Sequence, residues 1–130
     1  MSLSEARKSL EIYVRDFAKK HGLGVSYENV KSDHKGEYLE CFILPISPHD
    51  ETFSSENHQY IFQVNFYLNE NESAKKTDEL IDGFSHGLSS RRINNTSAIY
   101  KPISRSPSIR SGGKYMTAIS IYFQFSKTIY

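Results

Sequence analysis

Two stretches of the chain alternate apolar and polar residues with a period of two, and two others place apolar residues at steps of three and four. From Gln59 to Leu68, Tyr60, Phe62, Val64, Phe66 and Leu68 fall on one side and Gln63, Asn65 and Tyr67 on the other, which predicts a central strand with one face on a core. The pattern returns over 115–125, where Tyr115, Thr117, Ile119, Ile121, Phe123 and Phe125 share a side. Near the start, Ala6, Leu10, Tyr13, Val14, Phe17 and Ala18 form a helical stripe, with Arg7, Lys8, Glu11 and Arg15 mostly opposite. Ser2 and Glu5 have capping-box spacing, while Lys19, Lys20 and His21 followed by Gly22 suit a helix end, where cations meet the negative pole and glycine takes a left-handed cap. Leu80, Ile81, Phe84 and Leu88 mark a second helix over 73–88, with Ser73 as its cap. Gly83 and Gly87 weaken that helix by ~1 kcal/mol each relative to Ala, and their four-residue spacing suits a close approach by another element.

Shorter signals complete the layout. Val25 and Tyr27 suggest a strand after Gly24, and 38–44 a second one, stopped by Pro45 and Pro48; the polar break over 32–36 between them predicts a hairpin. A polar loop covers 47–57, and 97–103 reads as a further strand. The segment 104–114, Ser-Arg-Ser-Pro-Ser-Ile-Arg-Ser-Gly-Gly-Lys, is basic and rich in loop formers, so it is expected to be a mobile hairpin arm. The fold class that follows is α+β: a mostly antiparallel sheet of about five strands with two helices packed on one face, in a single domain over 1–130.

Length and composition agree. A chain of 130 residues buries roughly two-thirds of its unfolded surface, enough for one core. The first residues hold no apolar segment of signal-peptide type, and no apolar run reaches the ~20 residues that span a bilayer, so neither export nor a membrane is expected. The lone Cys41 excludes an internal disulfide and a thiolate metal cluster. Charge changes the picture most. Residues 1–82 carry nine Lys and Arg against fifteen Asp and Glu, a balance of −6, whereas 83–130 carry seven bases and no acid, a balance of +7.

No catalytic constellation stands out. His21, His34, His49, His58 and His86 have none of the usual metal-ligand spacings. Gly112-Gly113-Lys114 lacks the first glycine of a phosphate loop, since Ser108 occupies that place, and the segment leads into a strand rather than a helix. The pairs Asp78 with Asp82 and Glu37 with Glu40 are explained by solubility, and Cys41, alternating with Phe42, reads as a small buried hydrophobe. No cofactor motif is present, and the expectation is a non-enzymatic protein. Arg91, Arg92, Lys101, Arg105, Arg110 and Lys114, with Tyr100 and Tyr115 for stacking, pose the alternative of a small basic nucleic-acid-binding domain. A solvated basic sheet edge accounts for most of the same residues without any helix-turn-helix or RNP signature. A subunit acidic on one surface and basic on another can also meet copies of itself head to tail.

The layout resembles the tail terminator proteins of long-tailed bacteriophages, including prophage copies, over nearly the whole chain. The resemblance is carried by the opening helix ending in Lys19-Lys20-His21-Gly22, the strand 58–66, the helix over 73–88, the basic loop 105–114 and the alternating strand 115–125. It implies a minor tail or neck protein of the virion, assembled in the host cytoplasm as a ring, hexameric in characterised relatives. Such a ring caps the tail tube, ends tube polymerisation and faces the head–tail connector protein; an adaptor of a contractile injection apparatus is the neighbouring alternative. The implied partners are the chain itself, the tail tube protein and the connector, with neither membrane nor nucleic acid. Contact with them is expected through Arg105, Ser108, Ile109, Arg110 and Lys114, with Arg91 and Arg92, the arm ordering as its cations pair with acidic groups of a neighbouring ring.

Overall fold

A computed structural model describes residues 3–30, 36–46, 55–69, 74–88, 93 and 97–128, and of 55–58, 97 and 125–128 the backbone only. The expected caps Ser2 and Ser73, as well as Pro48, lie outside the described residues. In chain order the elements are α1 (Leu3–His21), β1 (Gly24–Ser26), β2 (Tyr38–Pro45), β3 (Ser55–Asn69), α2 (Ala74–Leu88), β4 (Ser97–Ile99), β5 (Ser104–Arg105), β6 (Ile109–Ser111) and β7 (Lys114–Thr128).

The two strictly alternating stretches form the centre of the sheet. β3 and β7 pair antiparallel over fifteen residues each, from Ser55↔Thr128 to Asn69↔Lys114, a ribbon on the order of 50 Å long at about 3.4 Å per residue. The register puts Leu39, Phe66 and Thr117 in one row, Cys41, Val64 and Ile119 in the next, and Ile43, Phe62 and Ile121 after them. All nine are buried, under Ala6, Leu10, Val14 and Ala18 of α1 and Leu80, Ile81, Phe84 and Leu88 of α2. Both helices therefore cover this one face.

The end of α1 follows its sequence signal. Gly22 has φ +68°, Leu23 N–H donates to Ala18 O at 2.8 Å and Gly22 N–H to Lys19 O at 3.5 Å, the paired bonds of a Schellman cap. That reversal delivers Gly24 beside Glu37, whose carbonyl accepts its N–H at 3.1 Å. The result corrects the expected hairpin: β1 runs parallel to β2, Gly24↔Tyr38 to Ser26↔Glu40, so the sheet is mixed. The chain leaves β1 through a turn at Asn29, φ +64°, and must return to the end where β1 began before β2 starts.

The strand count also differs. Among the described residues the sheet has seven strands, in the order β1-β2-β3-β7-β4, with β5 and β6 also pairing β7. β4, β5 and β6 follow one edge of β7 and act as a single edge strand broken twice. From Ile99 to Ser104 the edge advances five residues while β7 moves three, from Phe123 to Ser120. From Arg105 to Ile109 it advances four against three. Pro102 and Pro107 sit in these bulges, where a missing N–H costs no ladder bond. At the second, Ser106 Oγ accepts the Ala118 N–H at 2.9 Å while Ser106 N–H donates to Ala118 O. The expected hairpin is present and its outer arm is paired along β7, closed by a two-residue turn with Gly112 at φ +55° and Gly113 at φ +80°, the twist of a type I′ hairpin. Of the expected loop over 47–57, residues 47–54 lie outside the described residues, and 55–57 already belong to β3.

The opposite edge is closed by a side chain. β1 covers only three residues of β2, and beyond them Glu28 Oε1 accepts the Ile43 N–H at 3.0 Å, taking the place of a strand carbonyl. Arg7 of α1 donates to the same oxygen at 2.6 Å.

Two measurements test this account. A Cβ at Gly87 would collide with the Tyr13 hydroxyl, whose hydrogen bond to Phe84 O at 2.6 Å fixes it, whereas a Cβ at Gly83 meets nothing. In urea unfolding, Gly83→Ala is expected to stabilise the protein by up to about 1 kcal/mol, and Gly87→Ala to destabilise it by about 1–3 kcal/mol through overpacking. The Arg7 hydrogen bond, then the Ile43 N–H, hold Glu28 below the usual carboxylate range of 4.5. A depressed carboxylate stabilises above its unfolded pKa and loses that contribution as pH falls through the folded value. Unfolding midpoints should therefore drop as pH decreases below 4.5, and Glu28→Gln should remove part of that acid-side slope; an unchanged slope contradicts the assignment.

Candidate interaction surfaces

The described residues hold no group of three or more His, Cys, Asp or Glu side chains arranged for a metal ion. Cys41, expected as a buried hydrophobe, is buried, and that burial pushes its thiol up to about 12, with Glu11 adding to the rise. Such a thiol is protonated at neutral pH and a poor nucleophile. An open trough of about 720 Å³ runs between α1 and α2, with Leu10, Ile12, Phe17 and Leu88 along it and Asp16 and Lys20 at its rim. Gly87 lets Tyr13 cross between the helices there, the close approach expected from the glycine spacing, while Gly83 lines the trough without a contact of that kind.

The sheet face opposite the helices is organised in rows. Leu44, Ile61 and Tyr122 lie across one row, and Tyr38, Tyr67, Met116 and Ile109 across another. Tyr38 and Tyr67 stack at 4.6 Å, and Lys101 Nζ stands 4.8 Å above the Tyr122 ring. Between these apolar rows lies a polar strip. Glu40 Oε1 accepts from Asn65 Nδ2 at 3.1 Å and from the Tyr67 hydroxyl at 3.2 Å, and Gln63 Nε2 donates to Asn65 Oδ1 at 3.0 Å. This network satisfies Asn65, which is buried although it sits on the polar side of β3. Burial first, and then the Glu40 charge, raise the Tyr67 hydroxyl above its ordinary pKa, so it remains a donor throughout the neutral range.

Of the residues expected to bind partners, Arg105, Ser108, Ile109, Arg110 and Lys114 lie along the β7 edge, but not as one patch. Arg105 stands opposite Ile119 on the helix side and pairs with Asp78 of α2 at 2.8 Å. Ser108 Oγ shares a hydrogen bond of 2.6 Å with the buried Thr117 hydroxyl. Arg110 stands opposite Tyr115 with its guanidinium 5.9 Å from the ring centre. Ile109, opposite Met116, is 53% exposed on the other face. Lys114 begins β7 opposite Ser111. Arg91 and Arg92 lie outside the described residues. Sequence reasoning missed Asp78 as the neutralising partner of Arg105, since nothing along the chain links positions 27 residues apart. It also missed the carboxylates beside the β2 edge, where Glu11 and Glu28 flank Arg7; the acidic excess of residues 1–82 was the available signal.

A solved structure matches all of this chain and 98% of its own, with a TM-score of 0.72 at 18% sequence identity, which establishes the fold alone. No curated protein matches the sequence. A family model described as phage tail terminator protein matches residues 5–123, from the first turns of α1 to the Phe123 row of β7. The match spans both helices and every strand of the sheet, and the chain belongs to the phage tail terminator family.

Proposed function

We propose that this protein closes the end of a phage tail tube as a ring of identical subunits, six in number, that stops the addition of tube subunits and presents its far surface to the head–tail connector. The observation that carries the reading is the family match over 5–123, which takes in the whole α+β layout. The role is structural and non-enzymatic, exercised in the virion tail after assembly in the host cytoplasm. Physically, termination needs a ring whose one face fits the last tube ring and whose other face offers no template for another, so growth ends through a mismatch rather than through a chemical step. Ile109, Arg110 and Lys114, with Arg91 and Arg92, are the residues proposed to face partners; Arg105 does so only by leaving Asp78.

The test is reconstitution with the tail tube subunit of the same phage. Added during tube polymerisation, the chain is expected to shorten the tubes and to give one end an extra ring in electron micrographs, with capping saturating at one ring per tube. Tubes of undiminished length with bare ends would overturn the proposal.

A further inference from the structure

We infer that the two opposite edges of the sheet are the two halves of one subunit interface, with the acidic β1–β2 edge of one copy receiving the basic β6 edge of the next. The inference rests on the ring reading above and adds the surfaces by which copies would meet.

Position comes first. In the order β1-β2-β3-β7-β4, with β5 and β6 continuing the β4 edge, the two edges lie on opposite flanks of the same sheet. A contact between unlike flanks is heterologous and repeats from copy to copy until it closes. Charge comes second. Around the β2 edge, Glu11 and Glu28 flank the cation Arg7, and Glu40 stands on β2 itself, lining with Glu28 the hollow beside Val30. The far edge carries Lys101 and Arg110, with Lys114 next to it where β7 begins, in a stretch, 83–130, that holds no acid. Apolar exposure comes third. Among the large hydrophobic side chains that are exposed, Val30 at 56% and Leu44 at 39% flank the acidic edge, and Ile109 at 53% stands on the basic one. A hollow of about 560 Å³ opens beside Val30, Glu28, Glu40 and Phe42, and Ile109 is the exposed apolar side chain available to enter it.

The main chain has only short runs to offer such a contact. Glu28 already occupies the Ile43 N–H, and bulges at Pro102 and Pro107 divide the other edge into strands of two or three residues. Opposite charges steer the encounter and set its polarity, and the buried apolar side chains hold it.

Two variants separate the flanks. Val30→Lys with Leu44→Lys places cations on the acidic edge, and Ile109→Glu with Arg110→Glu places acids on the basic edge. By sedimentation and light scattering, the wild-type protein should form a salt-sensitive oligomer and each variant alone a monomer. Their equimolar mixture should form a one-to-one dimer, because each retains the flank the other lacks. A variant that keeps the wild-type mass, or a mixture that stays monomeric while both variants melt as the wild type does, overturns the interface and leaves the ring reading standing. A wild-type chain monomeric at every concentration and unable to cap tubes removes both. Carbodiimide coupling of the wild-type oligomer needs no substitution: inter-subunit links from Lys114 or Lys101 to Glu28 or Glu40 are expected, and links confined to other carboxylates sink the proposal.

Discussion

Four aromatic rings meet at Phe84, and the arrangement of the other elements follows from that meeting. Phe84 of α2 stands edge-on to Tyr13 and Phe17 of α1 at 5.1 Å each and to Phe66 of β3 at 5.4 Å. Edge-to-face geometry adds about 0.5–1.5 kcal/mol per pair beyond area burial, and removing such a ring from a core costs about 3–5 kcal/mol. Because the cluster takes one side chain or more from both helices and from the central strand, it fixes both helices to the same face of the sheet. The opposite face and both flanks are thereby left to other chemistry, and it is there that Glu40, Ile109 and the charged edges are found.

Period-two alternation fixed β3 and β7 in the sequence because each has one wet and one dry face, so every second residue reports its side. Tyr60 and Tyr115, at the ends of the runs, are only half-buried, as expected where the helices no longer cover the sheet. Helix stripes were legible for the same reason. What the pattern did not encode was the direction of β1: three residues carry too little alternation to fix a partner, and the parallel pairing is set by the Schellman turn at Gly22 together with the Gly24 bond to Glu37. The pairing of 104–114 along β7 was hidden too. Its proline, serine and glycine content reads as a loop, yet the same residues make bulges and a tight turn against β7, and Ser106 uses its hydroxyl where the backbone ladder lapses. Arg105 and Arg110 were visible as cations, but their surroundings depend on tertiary pairs with Asp78 and Tyr115.

Features that keep a sheet edge from pairing with strangers also determine which partner it accepts. A carboxylate on the Ile43 N–H and two proline bulges shorten the runs open to indiscriminate main-chain addition, the ordinary hazard of exposed edges. Recognition is then left to side chains, which distinguish one neighbour from another by charge and shape. A component that joins copies of itself and ends a polymer, as proposed for this chain, has use for both properties.

The long β3–β7 ribbon has a bearing on how the chain is made. Its second strand is synthesised after every other described element, although it lies in the middle of the finished sheet. While ribosomes are still translating the preceding hundred or so residues, about that many by the position of Lys114, β3 has a neighbour on one flank only. The fifteen-residue pairing closes contacts between positions as distant as Ser55 and Thr128, so its loop-closure cost has to be met before those contacts reward it. Completion of the described sheet is thus tied to emergence of β7, and nascent chains truncated before it lack the strand on which β4, β5 and β6 are built.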